Sequence, residues 1–379
     1  MKYHMGWRLG RILPCLLVVA FLLDIAARFI PLEGLTFRAW EALIRFRAPC
    51  GPFKASALYD EPRTYGDLAA LGNLPHHRVY RHESFTTDSH GFRRNSAHPN
   101  AIKEYKILIV GDSMAVGSTV SDHETLPARL ERKLGFGVYN GAGGIPIDLP
   151  LILSLAQRLK MDNGTVIYPY VGRSPLGSTQ DYKLEMNSDE LRRYCDNWQN
   201  RFSVWFNGFI TVSPLEIIAQ KTIKHLHNDS IFPNVLPTRK VVKKSLRDGD
   251  SVLFFQPEIE NYQRKRLPDV RGIAALADGL RKHNLNLVVV LVPDKYVVYS
   301  PLVQNTDPDK IHEPVYLDLV EELLREAQIP VINLVGFLRQ KAHEYYEKKE
   351  FIYWPDDTHW NTEGIRLSTE EILRQYMID

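Results

Sequence analysis

The sequence predicts an α/β protein, a three-layer α/β/α sandwich around a central parallel sheet of about five strands. Two observations predict it. Short β-branched and aliphatic runs, at residues 105–110, 138–139, 165–171, 285–292 and 331–334, alternate with segments of helical spacing. The first of these runs stops abruptly at Gly111-Asp112-Ser113, and Gly117 follows four residues on. That leaves a serine at the carboxyl end of a strand buried on both faces, where open α/β sheets place their ligands.

The 379 residues suffice for one large or two medium domains, and a formal net charge of +2 gives no reason to expect nucleic acid as a partner. Three cysteines, Cys15, Cys50 and Cys195, show neither metal-ligand nor redox spacing. Cys50 and Cys195 can pair in an oxidising compartment. No metal site and no cofactor are expected.

In chain order, residues 1–31 read as an uncleaved membrane anchor. Lys2, Arg8 and Arg11 precede the uncharged run 12–23, and apolar residues resume after Asp24 as far as Ile30. Residues 32–100 read as a tether and lead-in with partial structure, including helical spacing over 35–47 and a turn at Gly91. Arg93 is expected either to hold the lead-in against the domain or to be solvated. Residues 101–379 form the main domain, with a largely helical insertion at about 176–266. Ser121-Asp122-His123-Glu124 starts a helix that runs through 126–134 to Gly135. Helices are also expected over 270–283 and 316–327, and five strands joined in this way imply right-handed crossovers. Within the insertion, Tyr194, Trp198, Phe202, Trp205 and Phe209 share one helical stripe, which usually means core. A glycan platform and a membrane-resting surface are the sharper alternatives. Arg239, Lys240, Lys243, Lys244 and Arg247 read as a solvated helix face, with attraction to an anionic polymer or lipid headgroups as the alternative.

Near the other end of the chain, Tyr353-Trp354-Pro355-Asp356-Asp357-Thr358-His359-Trp360-Asn361 brings a histidine and two adjacent acids. A serine nucleophile needs an imidazole to take its proton and a carboxylate to orient that imidazole. Gly111-Asp112-Ser113 followed by Asp-Thr-His-Trp-Asn, in this order, resembles the SGNH (GDSL-like) hydrolase superfamily. The resemblance implies Ser113 as nucleophile and His359 as base. The supporting acid is open: the general spacing Asp-x-x-His selects Asp356, and the form Asp-x-His-Trp of alginate O-acetyltransferase-type domains selects Asp357, which is preferred.

The same resemblance implies an oxyanion hole. Asn140-Gly141-Ala142-Gly143-Gly144 corresponds to the second block, with Gly143 and Gly144 as the better N–H donors. The third block reads Gly172-Arg173-Ser174 in place of Gly-x-Asn, so Arg173 or Ser174 takes the place of the usual asparagine. That arginine, with Pro293-Asp294-Lys295-Tyr296, brings the chain closer to the alginate-type acetyltransferases, although in those the Asp-x-His motif precedes the serine motif. Lys295 then reads as a substrate contact or as a surface lysine. The implied function is an anchored extracytoplasmic enzyme of the inner membrane, facing the periplasm, that moves an acyl group, acetyl by preference, onto a polysaccharide hydroxyl. A multipass membrane acyltransferase is an implied partner. An esterase of the same fold and a catalytically weak glycan-binding or scaffold domain are the alternatives.

Overall fold

The computed structural model describes residues 3–27, 45–48, 51–96, 104–143, 148–172, 187–197, 241–263, 267–306 and 315–376, together with 199, 200, 202, 206, 213–215 and 219. The chain opens with helix α1 (Tyr3–Ala27), which contains Pro14. Leu16 to Val19 and Phe21 to Leu23 are exposed on it. Among the described residues no helix is long and apolar enough to cross a membrane. The membrane helix expected over residues 1–31 is not met among these, and residues 28–31 lie outside the described residues. Asp24 Oδ1 instead accepts from Ser213 Oγ at 2.7 Å and Leu215 N at 3.2 Å, tying α1 to the insertion.

Residues 51–96 are folded onto the main domain. Strand β1 (Arg45–Ala48) pairs antiparallel with β2 (Gly51–Phe53), so the end of the expected 35–47 helix is a strand, and its remainder lies outside the described residues. Strands β3 (Leu58–Thr64) and β4 (Arg81–Thr86) form a second antiparallel pair, with the short helix α2 (Asp67–Leu71) between them. Phe85 at the end of β4 is fully buried against Phe53, ring centroids 4.9 Å apart. After β4 the chain turns at Gly91, which adopts φ +79°, and Asp88 Oδ1 accepts from His90 N and Phe92 N at 2.8 and 3.0 Å. Arg93 then enters the interior, 2% exposed. Its Nε donates to Asp122 Oδ1 at 2.9 Å, and its other nitrogens reach the carbonyls of Ser84, Val116, Gly117 and Val120. A buried guanidinium is tolerated only when paired and saturated in this way.

The central sheet uses β5 (Tyr105–Ile109), β6 (Gly137–Asn140), β7 (Gly164–Val171), β10 (Leu285–Val292) and β11 (Val331–Asn333), all parallel. The strand order β11-β10-β7-β5-β6 means that the chain reverses direction across the sheet after β6. This topological switch lies between β5 and β7, where doubly wound sheets open a crevice at the carboxyl ends of their strands. Successive side chains of each strand enter different cores. Ile107, Ile109, Val288, Val290 and Val292 join one cluster. Leu108, Val110, Leu287, Val289 and Leu291 join the other. The period of two explains why these strands are apolar throughout rather than alternating.

Helices cover both faces. Residues 126–134, 335–346 and 362–376 contribute to the first core, and residues 149–159, 271–281 and 316–326 to the second. The helix expected to start at Ser121 is broken: its capping box with Glu124 opens only a short turn at Asp122–Glu124, extended Thr125 caps a separate helix at Leu126–Leu134, and Gly135 ends that helix with φ +73°. In the insertion, Phe202 is exposed and stacked on exposed Phe206 rather than buried in a core, while Tyr194 is half-buried. Trp198, Trp205 and Phe209 lie outside the described residues. The basic run is not a helix face: β8 (Val241–Ser245) and β9 (Ser251–Phe255) make an antiparallel hairpin that carries Lys243 and Lys244. Val241, Val242 and the Val252–Phe255 run suit a pleated, half-buried surface better than a helix. Arg239 and Lys240 lie outside the described residues. Cys195 is disulfide-bonded and Cys15 is free. Cys50, the partner considered for Cys195, also lies outside the described residues.

Replacing Arg93 by methionine should cost about 3–5 kcal/mol in urea denaturation, because Asp122 and the surrounding carbonyls lose their donor together. An effect below about 1 kcal/mol would show that the lead-in is not fastened by this residue.

Candidate active site

Ser113 follows β5 at the start of a four-residue helix, Ser113–Val116. Asp112, not Ser113, caps that helix by accepting from Met114 N at 2.9 Å. The serine hydroxyl is therefore not consumed by a cap. Gly111 makes the bend, with φ +150°. A side chain there would also meet Ala115 Cβ at 2.8 Å.

The loop 353–361 reaches this serine from the far end of the chain. It is closed by a bridge between Tyr353 and Trp360, and Trp354 N donates to the His359 carbonyl at 3.2 Å. Asn361 fixes its exit: Asn361 Oδ1 accepts from Glu363 N and Gly364 N at 3.0 and 2.9 Å, starting the 362–376 helix. Trp360 is fully buried beneath the loop.

These two pieces bring Ser113, His359 and Asp357 into one chain of hydrogen bonds. His359 Nε2 lies 2.7 Å from Ser113 Oγ, and His359 Nδ1 lies 2.6 Å from Asp357 Oδ1. The same carboxylate oxygen accepts from His359 N at 3.0 Å, which locks the ring relative to its own backbone. His359 is 2% exposed and Ser113 half-buried, so only the serine end of the chain meets solvent. With Nδ1–H directed at a carboxylate, Nε2 is left to accept the serine proton.

Asp356 points elsewhere. Its Oδ2 accepts from Gly66 N and Val79 N at 2.7 and 2.9 Å, and its Oδ1 from Arg81 Nη1 at 2.8 Å. Arg81 Nη2 reaches Asp357 Oδ2 at 3.1 Å, so one guanidinium forks across both adjacent carboxylates, each 0% exposed. Asp67 N donates to Asp357 Oδ2 at 2.8 Å. The Asp67 carboxylate holds Thr358 through its N at 2.8 Å and its Oγ1 at 2.6 Å. With its own hydrogen given to Asp67, the Thr358 hydroxyl offers a lone pair to His359 Nδ1 at 3.1 Å. Asp67, Asp357 and His359 are also the residues whose spacing suits a metal ion among those described. The ligand atoms facing one another there are engaged in the hydrogen bonds just given.

Beneath the loop, Lys295 is 0% exposed and so is not a surface lysine. Its Nζ donates to the carbonyls of Leu253, Trp354, Pro355 and Asp357 at 2.7–3.0 Å. Burial pushes its ammonium down to about 8, against the pull of Glu258, Asp356, Asp357 and Asp67.

The expected oxyanion donors fall only partly within the described residues. Gly143 N donates to the Gly111 carbonyl at 3.2 Å, and the Gly143 Cα packs so close to Pro52 that a Cβ would meet Pro52 Cγ at 2.2 Å. Gly143 is thus a structural turn, holding the second block against the serine loop. Gly144, Arg173 and Ser174 lie outside the described residues. Ser113 N, at the first position of its helix, carries no backbone hydrogen bond among the described residues.

Sequence reasoning did not find Gly66, Asp67, Arg81 or Thr358 as parts of the site. Thr358 sits inside the recognised motif, but the others act across 275–291 residues and belong to no local pattern.

Comparison with known proteins adds one positive finding. Residues 250–378 match the family described as SGNH hydrolase-like domain, acetyltransferase AlgX. The matched stretch contains Lys295, Asp357 and His359 and ends short of Ser113 in the other direction. No curated protein matches the chain.

Two outcomes follow from the packing around this loop. Gly66→Ala puts a Cβ 2.0 Å from the Asp356 carbonyl, so it should destabilise the protein by more than about 2 kcal/mol in a urea titration. For Lys295 the sign is set by its lowered value. Between about pH 8 and the ordinary 10.5, the unfolded chain binds a proton that the folded chain has released, so stability rises with pH across that window. Lys295→Met should remove this rise and, near neutral pH, cost about 3 kcal/mol by stripping the loop carbonyls of their donor, as read by urea titrations at both pH values.

Proposed function

We propose that this protein, which carries an SGNH hydrolase-like domain of the acetyltransferase AlgX kind, transfers an acetyl group to a polysaccharide hydroxyl through an acyl-enzyme on Ser113. The observation that carries this reading is the unbroken Ser113–His359–Asp357 hydrogen-bond chain, 2.7 and 2.6 Å long.

In the proposed reaction Ser113 Oγ attacks the carbonyl carbon of an acetyl ester while His359 Nε2 takes the serine proton. Asp357, which accepts from Arg81 Nη2 and Asp67 N, stabilises the imidazolium that forms. The oxyanion is met by Ser113 N–H, with Gly144 and Arg173 or Ser174 proposed as the further donors. His359 returns the proton to the departing alcohol oxygen, leaving Ser113 acetylated. The acceptor hydroxyl then gives its proton to His359 and attacks the acetyl carbon, and the proton passes back to Ser113 Oγ. With water as acceptor the same steps make an esterase. The matched domain description supports acetyl transfer over hydrolysis.

The working location proposed is outside the cytoplasm, with α1 holding the enzyme at the inner membrane near a membrane acyltransferase that supplies the acetyl group. The disulfide at Cys195 supports an oxidising compartment, and the exposed apolar run on α1 supports contact with lipid.

The test is to incubate the full chain with p-nitrophenyl acetate, with and without oligosaccharide acceptors, and to follow nitrophenol release and acetylated sugar by mass spectrometry. Acetylated sugar that vanishes with Ser113→Ala is the expected result. Serine-dependent release without sugar product would make the protein an esterase, and the absence of serine-dependent turnover would leave a binding domain. Asp357→Asn should lower kcat on the order of 10⁴-fold, whereas Asp356→Asn should leave kcat within about tenfold and act mainly on stability.

A further inference from the structure

Two neighbouring carboxylates buried without solvent contact repel one another, and such pairs ordinarily relieve the strain by sharing a proton. Asp356 and Asp357 are such a pair, both 0% exposed. If Asp357 carried that proton, His359 would lose the anion that stabilises its charged form. We propose that Arg81 is the positioning residue that keeps both carboxylates ionised, and thereby keeps Asp357 a competent partner of His359. This rests on the triad reading of Ser113, His359 and Asp357.

The geometry makes the role specific. Arg81 Nη1 serves Asp356 Oδ1 and Nη2 serves Asp357 Oδ2, at 2.8 and 3.1 Å, so a single planar cation neutralises the shared charge and fixes the spacing of the two groups. The guanidinium is aimed by its own surroundings. Nη1 also donates to the Val79 carbonyl at 2.9 Å, and the Trp354 ring lies 4.3 Å beneath Cζ. Asp357 Oδ1 accepts from His359 through both its ring and its backbone nitrogen.

The other charged and titratable groups around the pair cannot take over this task. Asp67, from helix α2, adds negative charge near His359 Nδ1, 3.8 Å away, and supplies its backbone N–H to Asp357. Tyr65, from the same segment, senses the Asp356 charge, and burial is the main cause raising its phenol. Lys295, from the end of β10, is a cation close to both acids, but its Nζ is spent on four carbonyls, with Glu258 the first of the acids acting on it. Arg81 is the cation whose nitrogens reach both carboxylates among the described residues.

The test uses the full chain with Arg81→Met, Arg81→Lys and the double variant Arg81→Met/Asp356→Asn, each first checked for native circular dichroism. The rate of Ser113 labelling by a fluorophosphonate is followed from about pH 5 to 9. Arg81→Met is expected to move the acid limb of the profile up by one pH unit or more, with the rate recovering toward the parent value at high pH. Arg81→Lys should fall between the two. The double variant, with one carboxylate left, should return the limb to within a few tenths of the parent. A uniform loss at every pH with the limb unmoved, or a double variant no better than Arg81→Met, overturns the proposal. An activity-independent readout accompanies it: the thermal-midpoint gap between parent and Arg81→Met should narrow as pH falls, because protonation relieves the unpaired carboxylates. If the parent itself is not labelled, the triad reading fails, and the gap still decides whether Arg81 neutralises the pair. A gap constant with pH counts against that role.

Discussion

The burial of Asp356 and Asp357 side by side is the constraint on which the rest of the site depends. A desolvated carboxylate must be met by donors, and two in succession need many. The donors come from places far apart in the chain. Gly66 N, Asp67 N, Val79 N and Arg81 come from the amino-terminal segment, and His359 from the loop itself. The loop's carbonyls pose the complementary problem, and Lys295 meets it from the end of β10. Residues 51–96 therefore cannot be a passive connection. They supply much of the positive potential that lets an acid remain charged next to an imidazole in a site closed to water on that side.

The same demand explains why the paired hairpins and α2 are held so firmly. Arg93 fastens one end of the segment under the Ser113–Val116 helix and the turn after it, through the carbonyls of Val116 and Gly117. Pro52 presses against Gly143 near the serine loop, and Ala69 N donates to the Asp356 carbonyl at 3.1 Å. The segment thus touches both halves of the site, the serine side through Arg93 and Pro52 and the histidine side through Asp67 and Arg81. Its docking closes the distance between two motifs separated by most of the chain. Weakening that docking at any of these points loosens the 2.7 Å approach of Ser113 Oγ to His359 Nε2.

Much of the sheet was readable from residues alone because its strands are apolar on both faces. The run 285–292 was legible to the residue, since eight positions in a parallel strand, nearly all buried, leave little polar interruption to blur its ends. The serine and histidine motifs were legible because each is local. Lys295 was misplaced because the sequence shows only a lysine after a strand, while its environment is made by carbonyls from 253 and from 354–357. Arg81 and Asp67 were missed for the same reason: their partners lie more than 270 residues away. The basic run was misread because Lys243 and Lys244 follow a valine pair that prefers a strand, and charge counting ignores that preference. Phe202 shows that helical spacing of aromatics does not by itself say what covers them.

The choice between the two acids follows from the bend of the loop. Residues 354–359 run through a turn, closed by Asp357 N donating to the Trp354 carbonyl at 3.2 Å, and then through bends. There Asp357 Oδ1 meets His359 Nδ1 at 2.6 Å and accepts from the His359 backbone N–H at 3.0 Å. Asp356 Oδ2 is taken by Gly66 N and Val79 N. A second acid directly before Asp357 creates the difficulty, because it puts two charges within reach of one guanidinium. The segment that docks against the loop is the one able to resolve it. Arg81 binds both, Asp67 secures Thr358, and His359 Nε2 faces Ser113 Oγ at 2.7 Å.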